Sequence, residues 1–259
     1  MILRRLQTFG SLVDAVGLWK AGEILARRKL RVSGDVFAKV AGRRVRVRPA
    51  DTDLFVLCQI FGSREYELPA NHRDMLRKTA EIWARQGETP IIVDGGANVG
   101  YASLYFADVF PGARILAVEA NGATFEALKR NVADHPLITP IHAALWSHEG
   151  GVTMRACADD SWSASAREGG STPSRTIDGL LAQIPGGRPL IIKLDIEGAE
   201  RVVVAASPQA FAETKCIFIE PHDFLSPGSN CLTPLFRFAG ERAFDTLVRG
   251  ENLLLISSS

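Results

Sequence analysis

The stretch that decides the fold is Ile91-Ile92-Val93-Asp94-Gly95-Gly96-Ala97-Asn98-Val99-Gly100. Its three leading apolar residues predict a short buried strand. The small residues after Asp94 predict a tight turn, and a helix is predicted from Val99. A strand, a glycine turn and a helix form the unit with which an α/β sheet presents backbone N–H groups to a nucleotide-like ligand. The pattern here is D-x-G-x-x-x-G, and it departs from the dinucleotide fingerprint G-x-G-x-x-G because Ala97 stands at the third position from Gly95.

The charge of Asp94 separates two classes of cofactor. A carboxylate at the strand tip repels a pyrophosphate, but it suits the ammonium group of an amino-acid moiety. The next predicted strand, 114–118, ends in Glu119, at the place where an acidic side chain can accept hydrogen bonds from ribose hydroxyls. We therefore predict an S-adenosylmethionine site. NAD is the alternative, because NAD sites also use an acidic residue there, and a tight connection without any ligand is the structural alternative.

From residue 90 onwards, strand and helix patterns alternate, which is typical of a parallel sheet covered by helices on both faces. A closing hairpin is predicted around Arg249-Gly250. The small, polar segment 157–175 is predicted to be either a disordered linker or a mobile lid over the ligand crevice. The predicted strands are 91–93, 114–118, 138–142, 189–194, 215–220, 244–248 and 252–256, and the predicted helices are 99–109, 122–134, 177–184 and 198–206.

Residues 1–87 are predicted to form an N-terminal extension, and residues 88–259 the cofactor-binding domain. The extension should contain two amphipathic helices within residues 2–30, a β-hairpin of 36–40 and 43–48, and further helices in 51–87. Residues 1–50 hold twelve Lys and Arg against three Asp and Glu, whereas the whole chain has a net charge of +1. We expect the apolar helix face to pack on the main domain or on a second subunit, which would give a homo-oligomer; attraction to an anionic membrane surface is the alternative.

The composition of the chain also predicts its cellular location and argues against a nucleic-acid partner. The basic strip Arg44, Arg46 and Arg48 lacks interleaved aromatic residues, so it is predicted to be a solvated edge strand and not a nucleic-acid interface. Charged residues interrupt the apolar N-terminus well short of a membrane span. The four cysteines are widely scattered without a C-x-x-C pair, which favours a reducing compartment and predicts a cytoplasmic protein without a zinc site.

Two further strand ends carry residues suited to catalysis. Asp195 and Glu197 follow the strand 189–194, Glu220 ends the strand 215–220, and His222 lies two residues beyond it. Ligands of open α/β sheets lie beyond these carboxyl ends. His222 is the predicted base, because a histidine there can accept a proton near neutral pH. The structural alternative for the carboxylates is to cap the following helix, and this is the only role predicted for Glu200.

The motifs VDGGANVG, KLDIEGAE and IEPHDF, together with Glu119, resemble the FkbM family of S-adenosylmethionine-dependent methyltransferases in order and spacing. The resemblance covers roughly residues 50–256, and it includes Asp53 and a QIF…EY segment formed by Gln59 to Phe61, Glu65 and Tyr66. It implies a doubly wound, Rossmann-like class I methyltransferase sheet of seven strands, of which the last is antiparallel. It also implies methylation of hydroxyl groups on sugars, polyketides or other secondary metabolites. This chain departs from relatives by having Ala120-Asn121-Gly122 after Glu119, where many have Pro-Asn.

The resulting prediction is an O-methyltransferase acting on a small molecule, with Asp195, Glu197, Glu220 and His222 facing the acceptor. The alternatives are N-methylation of an amide or amine, an NAD-dependent oxidoreductase and a non-catalytic binding module. A Mg²⁺ ion bound by the same four side chains is the alternative to a base without metal. The predicted cofactor-binding residues are Asp94, Gly95, Gly96, Asn98, Gly100, Glu119, Ala144 and Leu145.

Overall fold

The computed structural model describes residues 2–32, 34–156, 162–163, 169–224 and 227–257. Its centre is a seven-stranded sheet in the order β13-β14-β12-β11-β3-β4-β5. The strands of this sheet are β3 Thr89–Gly95, β4 Arg114–Glu119, β5 Ile138–His142, β11 Gly187–Leu194, β12 Cys216–Ile219, β13 Phe244–Arg249 and β14 Asn252–Ser257.

The pairing of these strands confirms the predicted fold class. β5, β4, β3, β11 and β12 are parallel to one another, and β14 pairs antiparallel with both β12 and β13. Only the last strand is therefore reversed, and it lies one place inside the edge strand β13. The strand order changes direction between β3 and β11, and this switch point is where α/β sheets form their ligand crevice.

Helices cover both faces of the sheet. α5 begins at Tyr101, two residues later than predicted, because Gly100 adopts a left-handed conformation with φ of 88° just before it. The short helices α9 and α10 were not predicted. The helices of this part of the chain are α5 Tyr101–Val109, α6 Gly122–Val132, α7 Ile177–Ala182, α8 Glu200–Ala206, α9 Pro208–Glu213 and α10 Thr233–Gly240.

The N-terminal 87 residues pack against one face of the same sheet. Leu12, Ile24 and Val47 are fully buried in one hydrophobic cluster with Ile92 and Phe218 of the sheet. The expected packing of the apolar helix face on the main domain is therefore confirmed. The elements of this part are α1 Ile2–Val16, α2 Leu18–Lys29, β1 Val36–Val40, β2 Arg43–Val47, α3 Asp53–Leu57, a π-helical turn Cys58–Gly62, and α4 Ala70–Arg85.

The arginines of the hairpin differ from the predicted solvated strip. Arg48 makes a two-pronged ion pair with Asp53, which is only 1 % exposed. Arg46 lies 3.0 Å from Asp35. Only Arg44 is exposed, so that prediction was wrong for two of its three members.

Between β5 and α7 the chain adds small strands beside the main sheet. Thr172–Arg175 pairs with strands on both of its sides, so the prediction of a disordered linker was wrong for these four residues. The rest of the predicted linker or lid falls largely on 157–161 and 164–168, which lie outside the described residues. The strands are β6 Ala144–Leu145, β7 Gly150–Val152, β8 Arg155–Ala156, β9 Trp162–Ser163 and β10 Thr172–Arg175.

Candidate active site

The glycine turn after β3 lies against the end of β11. Gly96 has a φ of 71°, and a Cβ atom added there would collide with the carbonyl oxygen of Asp195. The N–H groups of Gly96 and Ala97 both donate to Val118 O, at 3.0 and 2.9 Å. These two N–H groups therefore hold the turn to β4 and are already paired within the protein. The need for glycine comes from the close approach of two strand ends.

Asp94 lies beneath this turn and does not face the crevice. Its side chain is fully buried, with one carboxylate oxygen 3.1 Å from Lys193 Nζ and the other accepting from Ser103 Oγ at 2.6 Å. Lys193 is only 2 % exposed and also donates to the carbonyl oxygens of Gly95 and Gly96. Burial opposes the charge of Lys193, but Asp94 and other neighbouring groups outweigh it and raise the pKa of the lysine.

Glu119 is fixed at the end of β4, where the sequence predicted it. Its two carboxylate oxygens accept from Asn98 N at 2.9 Å and from Asn121 N at 2.7 Å. Burial raises its pKa, and the two N–H donors oppose that rise. The side-chain oxygen of Asn98 is buried and finds no hydrogen-bond partner among the described residues. An unpaired buried acceptor of this kind is free to accept from water or from a ligand.

The other predicted cofactor residues surround the same turn. Ala144 and Leu145 are buried in β6. A Cβ added at Gly95 would come within 2.6 Å of the Leu145 side chain, and one at Gly100 within 2.7 Å of Leu128. The predicted cofactor residues thus form one contiguous region at the carboxyl ends of β3 and β4.

The four predicted catalytic side chains converge on one histidine ring. His222 is 2 % exposed, and its Nε2 lies 3.8 Å from Asp195, 3.5 Å from Glu197 and 3.6 Å from Glu220. Asp195 N donates to Gly95 O at 3.2 Å, which places this acidic cluster directly beside the glycine turn. The cluster of Asp195, Glu197, Glu220 and His222 is referred to below as the acidic cluster.

Glu200 has a larger role than the helix cap predicted for it. It is fully buried, and its Oε1 accepts from Ile196 N and Gly198 N at the start of α8. The same oxygen lies 2.8 Å from His222 Nδ1. Since Glu200 already accepts two N–H groups, it fixes the imidazole with Nδ1–H directed at Glu200 and Nε2 directed at the acidic cluster.

Electrostatics within the cluster oppose the predicted role of His222 as a base. Burial lowers the pKa of His222, but the hydrogen bond and charge of Glu200 and the charges of Asp195 and Glu197 outweigh it and raise the pKa. A raised pKa favours the doubly protonated imidazole over the neutral form that a base needs. Burial and the charge of Asp195 raise the pKa of Glu220.

Two further carboxylates border the cluster, and sequence reasoning did not single them out as site residues. Glu65, after the π-helical turn, contacts the β13–β14 turn at Gly250, next to Glu251. Burial, followed by the charges of Glu251 and Asp195, raises the pKa of Glu65 from 4.5 to about 7. Gln59 Nε2 donates to Glu251 Oε2 at 3.4 Å. The segment from Gln59 to Tyr66, which belongs to the family resemblance, was the available signal.

A family model and a curated protein match parts of this chain. A family model described as "Methyltransferase FkbM domain" matches residues 94–241. Methyltransferase sdnD from Sordaria araneosa is 41 % identical over 54 residues, and this match spans only 21 % of each chain.

Solved structures that resemble this chain include two described as O-methyltransferases. The O-methyltransferase TomG from Streptomyces achromogenes, in complex with SAM, aligns over 75 % of this chain and 86 % of its own with a TM-score of 0.41 and 14 % identity. A putative caffeoyl-CoA O-methyltransferase from Staphylococcus aureus aligns over 74 % and 85 %, with a TM-score of 0.40 and 10 % identity.

The family match covers more than half of the chain, and it contains the glycine turn, Glu119, the DIEGAE segment and His222. It favours a methyltransferase over the NAD-dependent and non-catalytic alternatives. The chain belongs to the FkbM family of S-adenosylmethionine-dependent methyltransferases.

Proposed function

We propose that this enzyme transfers a methyl group to a hydroxyl of a small molecule bound at the acidic cluster. The observation that carries the proposal is the convergence of Asp195, Glu197 and Glu220 on the buried ring of His222, next to the glycine turn. Methyl transfer from a sulfonium needs in-line placement of the acceptor and, for a hydroxyl, a group that takes its proton. A cluster of carboxylates beside the cofactor region can supply both functions.

The residues around the glycine turn fit the cofactor. Each oxygen of Glu119 accepts one backbone N–H and retains a lone pair for a ribose hydroxyl. The buried amide oxygen of Asn98 can accept from an ammonium or hydroxyl donor of the ligand. Gly95, Gly96 and Gly100 allow the turn to pack closely against its protein neighbours, and Ala144 and Leu145 line the side proposed for the adenine. When bound, the cofactor supplies an electrophilic methyl group.

We infer that Asp94 acts through Lys193. The ion pair is buried and its lysine binds the carbonyl oxygens of Gly95 and Gly96, so it fixes the shape of the turn from below. The sequence suggested instead that Asp94 binds the ammonium of the cofactor directly. A fully buried carboxylate already bound to a lysine and a serine is better placed for positioning than for direct contact.

For the proton we assign Glu220 as the acceptor and His222 as its positioning partner. The raised pKa of Glu220 brings this carboxylate towards the range in which it can bind a proton at neutral pH. His222, held by Glu200, donates towards the cluster and limits repulsion among its carboxylates. Asp195, which is 30 % exposed, would contact the acceptor hydroxyl, with Glu197 beside it.

A bound divalent cation is the second candidate for activating the hydroxyl. One ligand atom each from Asp195, Glu220 and His222 lies within 4.8 Å of the others, and oxygen and nitrogen donors of this kind suit Mg²⁺ or Mn²⁺. Three protein ligands would leave positions open for water and the acceptor. Chelation separates this candidate from a base without metal.

The acceptor screen that tests the proposal uses cofactor with an isotopically labelled methyl group and a panel of hydroxylated small molecules, each paired with its amine analogue. We expect label on oxygen, a loss of about 10²–10⁴ in turnover for Glu220→Gln, and no effect of EDTA. Inactivation by EDTA with recovery in Mg²⁺ would transfer the role to a metal. Label found only on nitrogen would overturn O-methylation.

The cellular location and the oligomeric state of the enzyme are also proposals. The structure contains no helix long and apolar enough to span a membrane within its described residues. The predicted cytoplasmic location rests on the sequence alone, whose four cysteines are widely scattered without a C-x-x-C pair. A homo-oligomer formed through the N-terminal extension, and a function without nucleic acid, stay predictions.

A further inference from the structure

The outer face of the N-terminal hairpin carries charges that its own fold does not use. Phe37 and Lys39 of β1 are exposed, while the alternate positions of the strand are buried. Together with Arg44 of β2 and Lys20 of α2, they surround a shallow depression of about 310 Å³; of these cations, Lys20 is paired with Glu23 at 2.6 Å. Phe37, Lys39, Arg44 and Lys20 are referred to below as the basic face.

Two cations of the basic face lie directly opposite each other. Lys39 and Arg44 are paired residues in the register of the hairpin. Like charges in this position destabilise a strand pair. Within the described part of the chain neither has an acidic partner, and the Arg44 guanidinium instead lies 3.8 Å from the centre of the Phe37 ring. The other hairpin arginines are paired: Arg43 with Asp108, Arg46 with Asp35 and Arg48 with Asp53.

An exposed apolar pair adjoins these cations. Leu18 is 59 % exposed and Trp19 is 92 % exposed, and both immediately precede Lys20 at the start of α2. The same helix buries Ala21 and Ile24 completely in the core. Leu18 and Trp19 therefore lie outside the core in which Ala21 and Ile24 of the same helix are buried.

We propose that the basic face, with Leu18 and Trp19, docks on the surface of an anionic phospholipid bilayer. Tryptophan is enriched at membrane–water interfaces, and a helix lying on a membrane places apolar side chains at the headgroup boundary. Lys39 and Arg44 would bind lipid phosphates, and this relieves their mutual repulsion. Nucleic acid could neutralise the cations, but it gives Leu18 no apolar environment, whereas a bilayer accounts for both features.

This docking differs from the expectation that the apolar residues of the extension serve packing alone. Packing accounts for Leu12, Ala21 and Ile24, which are buried, but not for Leu18 and Trp19. Packing also gives no role to Lys39 and Arg44, two cations that face each other across the hairpin without an acidic partner among the described residues. The inference is independent of the proposed chemistry, because no residue of the acidic cluster takes part in it.

Flotation of the full chain with vesicles tests the proposal. Vesicles of phosphatidylcholine with roughly 30 % phosphatidylserine should carry the protein upward, and pure phosphatidylcholine vesicles should not. The triple variant Trp19→Ala/Lys39→Gln/Arg44→Gln should bind at least about tenfold more weakly. The control Lys78→Gln/Arg85→Gln removes two exposed charges from α4 and should bind as the parent chain does.

Urea denaturation of each variant verifies that it is folded. Binding that is unchanged in the triple variant would overturn the proposal, as would equal flotation with uncharged vesicles. Binding of duplex RNA or DNA through the same residues, without vesicle binding, would assign the face to nucleic acid. A dimer that dissociates on Trp19→Ala, again without vesicle binding, would assign it to a second copy of the chain.

Discussion

Replacing Lys193 by methionine probes the buried ion pair that supports the glycine turn. Met approximates the volume of the lysine stem but leaves Asp94, which is fully buried, with only the hydroxyl of Ser103. Breaking a buried pair by removing one partner typically costs about 3–5 kcal/mol, since the remaining charge is uncompensated. Gly96 O also loses the lysine as donor, and Gly95 O keeps only the N–H of Asp195. We therefore expect Lys193→Met to lower the free energy of unfolding by about 4 kcal/mol.

A double-mutant cycle separates this charge effect from loss of packing. Asp94→Asn removes the orphaned charge, so Asp94→Asn combined with Lys193→Met should be more stable than Lys193→Met alone, with a coupling of about 2 kcal/mol or more. Urea denaturation at 25 °C gives the four free energies. Lys39→Met is the matched control, because Lys39 is exposed and its replacement should stay within about 0.5 kcal/mol.

Two results would refute this reasoning. One is a cost below about 1 kcal/mol for Lys193→Met, which would mean that the pair contributes no stability. The other is additivity of the two single changes, which would mean that Asp94 and Lys193 do not interact. If the double variant is stable and still binds the cofactor, Asp94 acts by positioning the turn; if it is stable but has lost binding, Asp94 contacts the cofactor directly.

Two further predictions concern glycine packing and pH. Gly96→Ala should destabilise the fold by about 3 kcal/mol or more, because its Cβ would collide with Asp195 O. The control Gly112→Ala, where a Cβ meets nothing within 4 Å, should cost about 1 kcal/mol at most. Equal melting temperatures of the two variants would refute the close approach of Gly96 to Asp195. Burial, followed by the charge of Glu251, raises the pKa of Glu65 in the folded state from 4.5 to about 7. Between these two pH values Glu65 therefore binds more protons in the folded state than in the unfolded state. Its contribution to the free energy of unfolding falls as pH rises through that window. Glu65→Gln should therefore be about 1–2 kcal/mol more stable than the parent at pH 8 and no more stable at pH 4, and a gain that is the same at both pH values would contradict this.

The sheet was predictable because its strands are short apolar runs that end at recognisable turns. The predicted strand 138–142 agrees with β5, and the closing hairpin around Gly250 supplies the reversed strand. The helices at 208–213 and 233–240 were missed because each is only one to two turns long and begins with proline at its first or second position, without a longer periodic pattern. Short elements of this kind depend on packing more than on their own sequence pattern.

Within the site, the sequence predicted which residues lie at strand ends, but it did not predict which side chains bind one another. The sequence places Asp195, Glu220 and His222 at neighbouring strand ends, and the structure brings them together. Sequence spacing could not show that Lys193, inside a buried strand, would bind Asp94 from the neighbouring strand. Nor could it show that Glu200 would hold His222, because this contact depends on how α8 meets β12.

Calorimetric titration with S-adenosylhomocysteine tests the central claim, that the carboxyl ends of β3 and β4 bind the cofactor. The parent chain should bind this product, and it should give no heat with NAD. Glu119→Ala should weaken binding by about 1–3 kcal/mol, since the ribose hydroxyls lose a charged acceptor. Glu126→Ala, which removes an exposed carboxylate from the neighbouring helix α6, should leave the affinity unchanged. Equal affinity in Glu119→Ala and in the parent, or tight binding of NAD, would contradict the account.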